Sequence, residues 1–181
     1  MISRSRSTAR SWRPSPPISA SATTSHFARA VVAATGLAVG APPPAGGQAL
    51  RATELGAGAT AVLAHRAFWG PELGAARRSG GQGRFAFTAA CGGYDRALGV
   101  RLEATAQFLL RPVERSGAGP YGGLGLSFVG SQDTRGASYL AALVGVESAP
   151  GARAGWYAEL GLGGGVRLAV GRRVRRFPSW W

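Results

Sequence analysis

The sequence predicts an all-β fold, a single antiparallel up-and-down β-barrel of about eight strands, preceded by a signal segment. Three observations point there. Apolar and polar residues alternate with a period of two in segment after segment. Glycine is abundant, at 29 of 181 residues. Turn-like clusters interrupt the alternation at short intervals. A period of two sorts side chains onto two faces only in a strand. Glycine costs a helix about 1 kcal/mol per interior position, so helix-rich folds are disfavoured.

The longest glycine-poor run carries the pattern best. Leu98, Val100, Leu102, Ala104, Ala106, Phe108 and Leu110 form one apolar face, while Gly99, Arg101, Glu103, Thr105, Gln107 and Arg111 form the other. A strand in a soluble domain is typically ~5–6 residues long. A tilted membrane strand needs roughly 9–11. The length of this run therefore favours a barrel that crosses a bilayer.

Other segments repeat the pattern. Leu55 to Leu63 alternate with Glu54, Gly56, Gly58 and Thr60, and Phe85, Phe87 and Ala89 with Arg84, Ala86 and Thr88. Leu124, Leu126 and Phe128 alternate with Gly123, Gly125 and Ser127. Trp156, Ala158, Leu160 and Leu162 alternate with Tyr157, Glu159, Gly161 and Gly163, and Val166, Leu168 and Val170 with Arg167, Ala169 and Gly171. The expected strands are 53–64, 67–78, 84–92, 97–111, 120–130, 137–147, 154–163 and 165–174. Pro71 in the second is tolerable only near an end or a bulge. Only Gly163–Gly165 separates the last two, which the sequence alone also allows to be one strand.

The chain divides at residue 49. No acid occurs before Glu54, and residues 1–28 are rich in Ser, Arg and Pro without an apolar period. Ala30–Ala41 (AVVAATGLAVGA) is an uncharged apolar run, too short for a membrane helix of roughly 20 residues. Then comes PPPAGGQA, ending in a small-residue triplet that fits cleavage after Ala49. Residues 1–49 are thus expected to be a disordered basic leader plus signal peptide, and 50–181 the barrel domain.

Charge and reactive residues exclude more than they suggest. All 21 basic residues are Arg, against eight acids, for a net charge of +13. The arginines are scattered instead of forming one stripe, which argues against a nucleic-acid partner. Cys91 is the only cysteine, so no intrachain disulfide or zinc cluster can form, and its small neighbours suggest an apolar filler. His65 is the only histidine after residue 49 and reads as a loop residue, with no hydroxyl two positions on. Gly161–Gly165 lacks the Lys-Ser/Thr of a phosphate loop. No catalytic residue, metal site or cofactor is expected, and the chain is not read as an enzyme.

Gly119–Phe128 (GPYGGLGLSF) and Trp156–Val170 (WYAELGLGGGVRLAV) resemble strands of the small bacterial outer-membrane β-barrel proteins, the OmpA-like and OmpW-like group. The resemblance spans roughly 53–174. It implies outer-membrane residence after export, with the periplasm as the alternative, and outer-membrane lipid as partner. It also implies insertion by machinery that reads a C-terminal aromatic residue, here Trp180-Trp181; Arg172, Arg173, Arg175, Arg176 and Pro178 depart from the usual approach to that end.

On this reading Glu54, Arg101, Glu103, Glu159 and Arg167 face the interior, where mixed signs attract and close the lumen. Tyr94, Tyr139, Trp180 and, most clearly, Trp69, Tyr121, Trp156 and Trp181 are expected at the membrane interfaces. The expected role is structural, in a closed envelope barrel. A narrow passive channel for small solutes and a soluble periplasmic barrel that binds a ligand are the alternatives.

Overall fold

The computed structural model describes residues 51–179 and 181. The expected leader, the signal segment with its cleavage after Ala49, and Trp180 lie outside the described residues. The rest is all strand and turn. The elements are β1 (Arg51–Leu63), β2 (Phe68–Gly80), β3 (Gly83–Tyr94), β4 (Ala97–Leu109), β5 (Ala118–Ser131), β6 (Thr134–Ser148), β7 (Ala154–Leu162) and β8 (Val166–Arg176). Each pairs antiparallel with the next, and β8 returns to β1 from Thr53↔Arg176 to Leu63↔Val166. The sheet is therefore a closed eight-stranded barrel with no free edge.

Side-chain alternation explains why the chain adopts this form. Along the strands one parity points inward and carries most of the charged and polar side chains, with apolar residues among them toward the ends, while the other points outward and is mainly apolar. In β4, Arg101, Glu103, Thr105, Gln107 and Leu109 are buried, while Val100, Ala104, Ala106 and Phe108 are exposed. This inverts a soluble barrel, whose apolar face would fill the core.

Three local features refine the expected boundaries. β4 stops at Leu109, and 110–117 leaves the wall as the longest connection among the described residues. β7 and β8 are separate strands: Gly164 (φ 79°) and Gly165 (φ 149°) take backbone conformations that side chains disfavour, and the chain reverses there. Pro71 sits inside β2, not at its end. It pairs with Ala59 of β1, but the ladder to β3 shows no pair between Trp69↔Gly93 and Glu72↔Ala90. A proline without an N–H is tolerated where the ladder is already interrupted. Gly70 and Gly92 bring the two backbones together there: a Cβ on Gly92 would lie 2.0 Å from the Trp69 carbonyl oxygen.

Both described chain ends lie at one end of the barrel, with connections 81–82, 110–117 and 149–153. At the opposite end the connections are only 64–67, 95–96, 132–133 and 163–165. A small apolar layer of Val62, Phe68, Ala90 and Val129, with Tyr94 against it, lies near the opposite end. Leu109, Tyr121 and Leu143 form a second layer nearer the terminal end.

Candidate functional site

The distinctive chemistry lies in the lumen. Five glutamates (54, 72, 103, 147, 159) and six arginines (78, 84, 101, 167, 173, 175) are buried inside the barrel. Eight strands leave just enough interior for side chains to fill. A long arginine reaches the axis from any strand and can bond several carboxylates at once through its five N–H donors.

Near the terminal end, Glu54 and Glu147 serve four arginines. Arg84 approaches Glu54 at 3.2 Å and Glu147 at 2.8 Å. Arg173 lies 3.6 Å from Glu54 and 2.7 Å from Glu147. Arg175 donates to Glu147 at 3.0 Å. Arg78 bonds Glu54 through Nε and reaches outward to the carbonyl oxygens of Pro112 (2.7 Å) and Pro150 (3.0 Å). Those carbonyls belong to the connections that fold over this end. The C-terminal residues join them: Phe177 stacks on Arg78, and Trp181 donates its indole N–H to Gly151 at 3.1 Å.

Deeper in, Arg167 is the hub. It donates to Glu72 at 2.6 Å and Glu159 at 2.7 Å, and lies 3.8 Å from Glu103. Arg101 donates to Glu103 at 2.8 Å and to the Gly163 carbonyl at 2.9 Å. Arg173 links the two groups, 3.5 Å from Glu159. Tyrosines complete the carboxylate shells. Tyr121 donates to Glu159 at 2.6 Å and Tyr157 to Glu72 at 3.3 Å. Arg84 lies 4.4 Å over the Tyr121 ring and Arg173 4.5 Å over the Tyr157 ring. A pocket bordered by Glu54, Tyr157 and Arg173 holds about 10 Å³, room for one water at most.

The residues expected inside all stand in this network: Glu54, Arg101, Glu103, Glu159 and Arg167. The sequence reading missed Glu72, Arg78, Arg84, Glu147, Arg173 and Arg175, which supply the other half. It also misplaced tyrosines. Tyr121, expected at the membrane interface, points inward and is 3% exposed, because odd positions of β5 face the lumen and Glu159 takes its hydroxyl. Tyr94 and Tyr139 likewise belong to the inner surface, at the open mouth. Trp69 and Trp156 point outward at opposite ends of the wall, 65% and 50% exposed. Trp181 turns back over the terminal end, near Arg115 and Phe177. Cys91 is an exposed thiol on the outer wall, and His65 lies in the 64–67 connection. Among the described residues no group of His, Cys, Asp and Glu is arranged to hold a metal.

No family model matches the chain, and no curated protein matches it in sequence. Solved structures do match in shape. The outer membrane protein OprG of Pseudomonas aeruginosa superimposes with a TM-score of 0.57 at 12% identity, over 73% of this chain and 99% of that one. The N-terminal β-barrel domain of OprF, also of Pseudomonas aeruginosa, gives 0.53 at 15% identity, over 72% of this chain and 98% of that one. The fold of this chain is thus the small eight-stranded barrel that outer-membrane proteins also adopt.

Proposed function

We propose that the chain is an outer-membrane β-barrel with a structural, non-catalytic role in the envelope and a lumen closed by its own ion pairs. The observation that carries the closed lumen is the network itself. All eight strands send a charged or tyrosine side chain into it, and the pocket bordered by Glu54 and Arg173 admits at most one water. Mixed charges draw together in a low-dielectric interior and leave no aqueous path.

The outer wall supports the membrane. Leu55, Leu73, Phe85, Leu124, Leu126, Leu140 and Val170 are each more than half exposed on the outer face of the barrel. Soluble monomers rarely expose apolar patches beyond a few hundred Å², whereas lipid is the natural neighbour of such a wall. At the terminal end the outward arginines Arg51, Arg77, Arg172 and Arg176 share the β8–β1–β2 face. Arginines there can snorkel to headgroup phosphates, as Trp156 can sit at the interface. The proposed partners are outer-membrane lipid and insertion machinery that reads the aromatic C-terminal end.

Planar-bilayer recording of the purified protein tests the closed state. The unmodified protein is expected to be silent. Steady conductance would falsify closure and promote the passive-channel reading.

A further inference from the structure

The two ends of the lumen differ in how their charge is balanced. At the terminal end every inward arginine faces a glutamate, and loops and the C-terminal residues cover the group. The opposite end is an open cup of about 430 Å³, within the usual size range of small-molecule sites. Arg66, Arg101, Arg135 and His65 line it, and no acidic side chain does. Asp95 and Asp133 stand in the neighbouring turns, outside the lining of the cup. Arg101 already holds Glu103 and the Gly163 carbonyl, yet its buried Nε has no hydrogen-bond partner. The cup therefore presents exposed positive charge at its rim, with the Arg101 side chain in its wall.

Its walls are not wholly polar. Tyr94 and Tyr139 offer rings at the rim, and the base is the apolar layer of Val62, Phe68 and Val129. The connections at this end are two to four residues long and flanked by paired strands, so the backbone positions that carry Arg66 and Arg135 are fixed relative to each other.

From this juxtaposition we propose that the open mouth binds a small organic anion, a phosphate or sulfate monoester on a sugar-sized ring. Arg66 and Arg135 take the anionic group, with the positive charge of Arg101 in the wall beside it and the tyrosine rings against the sugar. Guanidinium forks suit tetrahedral oxyanions, where one arginine can donate two parallel N–H bonds. The same ester chemistry occurs in free sugar phosphates and in the phosphorylated sugars of lipopolysaccharide.

Calorimetric titration of the full chain in phosphatidylcholine nanodiscs provides the test. Glucose 6-phosphate is expected to bind, glucose not to bind, and inorganic phosphate to bind more weakly than the ester. In Arg66→Ala/Arg135→Ala the ester should lose at least tenfold in affinity. Arg51→Ala/Arg77→Ala, which removes as much charge from the outer wall, should keep it. No ester binding, or an equal loss in both double variants, overturns the proposal. Nanodiscs that contain lipopolysaccharide then identify the source: competition with the ester assigns the cup to the lipid-borne phosphate, and undiminished binding assigns it to a free solute. Both variants leave the inner ion pairs intact, so a failure here is separate from any conductance that would unseat the closed lumen.

Discussion

Tyr121 shows how one side chain changes meaning with its parity. As an aromatic near a strand start it suits an interface belt. Buried, it becomes the donor that completes the Glu159 carboxylate and the ring under Arg84. The glycines are read the same way, one position at a time. At Gly92 an added Cβ would meet the Trp69 carbonyl oxygen at 2.0 Å and Gly70 Cα at 2.7 Å, both backbone atoms that cannot swing aside. At Gly122 the nearest atom is the Leu143 carbonyl oxygen at 3.5 Å, an ordinary contact. Gly92→Ala is therefore expected to cost about 1–3 kcal/mol, the usual range for overpacking, while Gly122→Ala changes little. Urea unfolding in detergent micelles measures both. Equal midpoints would mean that β2 and β3 separate freely at Gly70.

Among the elements, β4 was the most legible, since its alternation is unbroken and only a strand sorts it. Its outward face includes Ala104 and Ala106, near mid-strand. Arginine at a mid-membrane, lipid-facing position costs about 2–4 kcal/mol. Ala104→Arg should show that loss in unfolding from lipid vesicles; a loss near zero would place this wall outside the hydrocarbon. The strands up to β7 were readable because turn clusters separate most of them, while Gly163–Gly165 left open whether β7 and β8 were one strand. The boundaries drifted where turn-forming residues continue the ladder. Ser79, Gly80 and Gly83 fall between the expected strands 67–78 and 84–92, yet only 81–82 leave the strands. β2 was hard to read because Pro71 and small residues dilute its alternation, although Phe68, Glu72, Ala76 and Arg78 share one parity and all are buried.

At the scale of the whole molecule, half of the lumen network was hidden for the same reason. Arg173 and Arg175 continue the inward parity of Arg167, and Glu147 ends the inward row of β6, but a period of two cannot say that distant strands meet at one axis. Closure of the barrel is what brings Glu147 of β6 to Arg78, Arg84, Arg173 and Arg175 of β2, β3 and β8. Buried pairs of this kind do not make a barrel more stable than a well-packed apolar filling would; removal of one partner is what is costly. Glu103→Ala removes the only carboxylate that Arg101 holds, plus a 3.8 Å approach to Arg167, which keeps Glu72 and Glu159. A loss of roughly 3–5 kcal/mol is expected there, with a modest opening. Glu147→Ala is the more severe change, because Arg78, Arg84 and Arg175 are left with Glu54 as their only carboxylate and Arg173 with Glu54 and a 3.5 Å approach to Glu159. Their repulsion in a poorly screened interior exceeds what Glu54 and the shared Glu159 offset. The side chains should spread, and water and chloride should enter the terminal end. Destabilisation larger than in Glu103→Ala and an anion-selective leak in planar bilayers are the expected outcomes. The selectivity follows from the excess of arginine over glutamate that the vacated space would face. A Glu147→Ala barrel as stable and as silent as the parent would show that the loops and C-terminal residues, and not the ion pairs, hold the lumen shut.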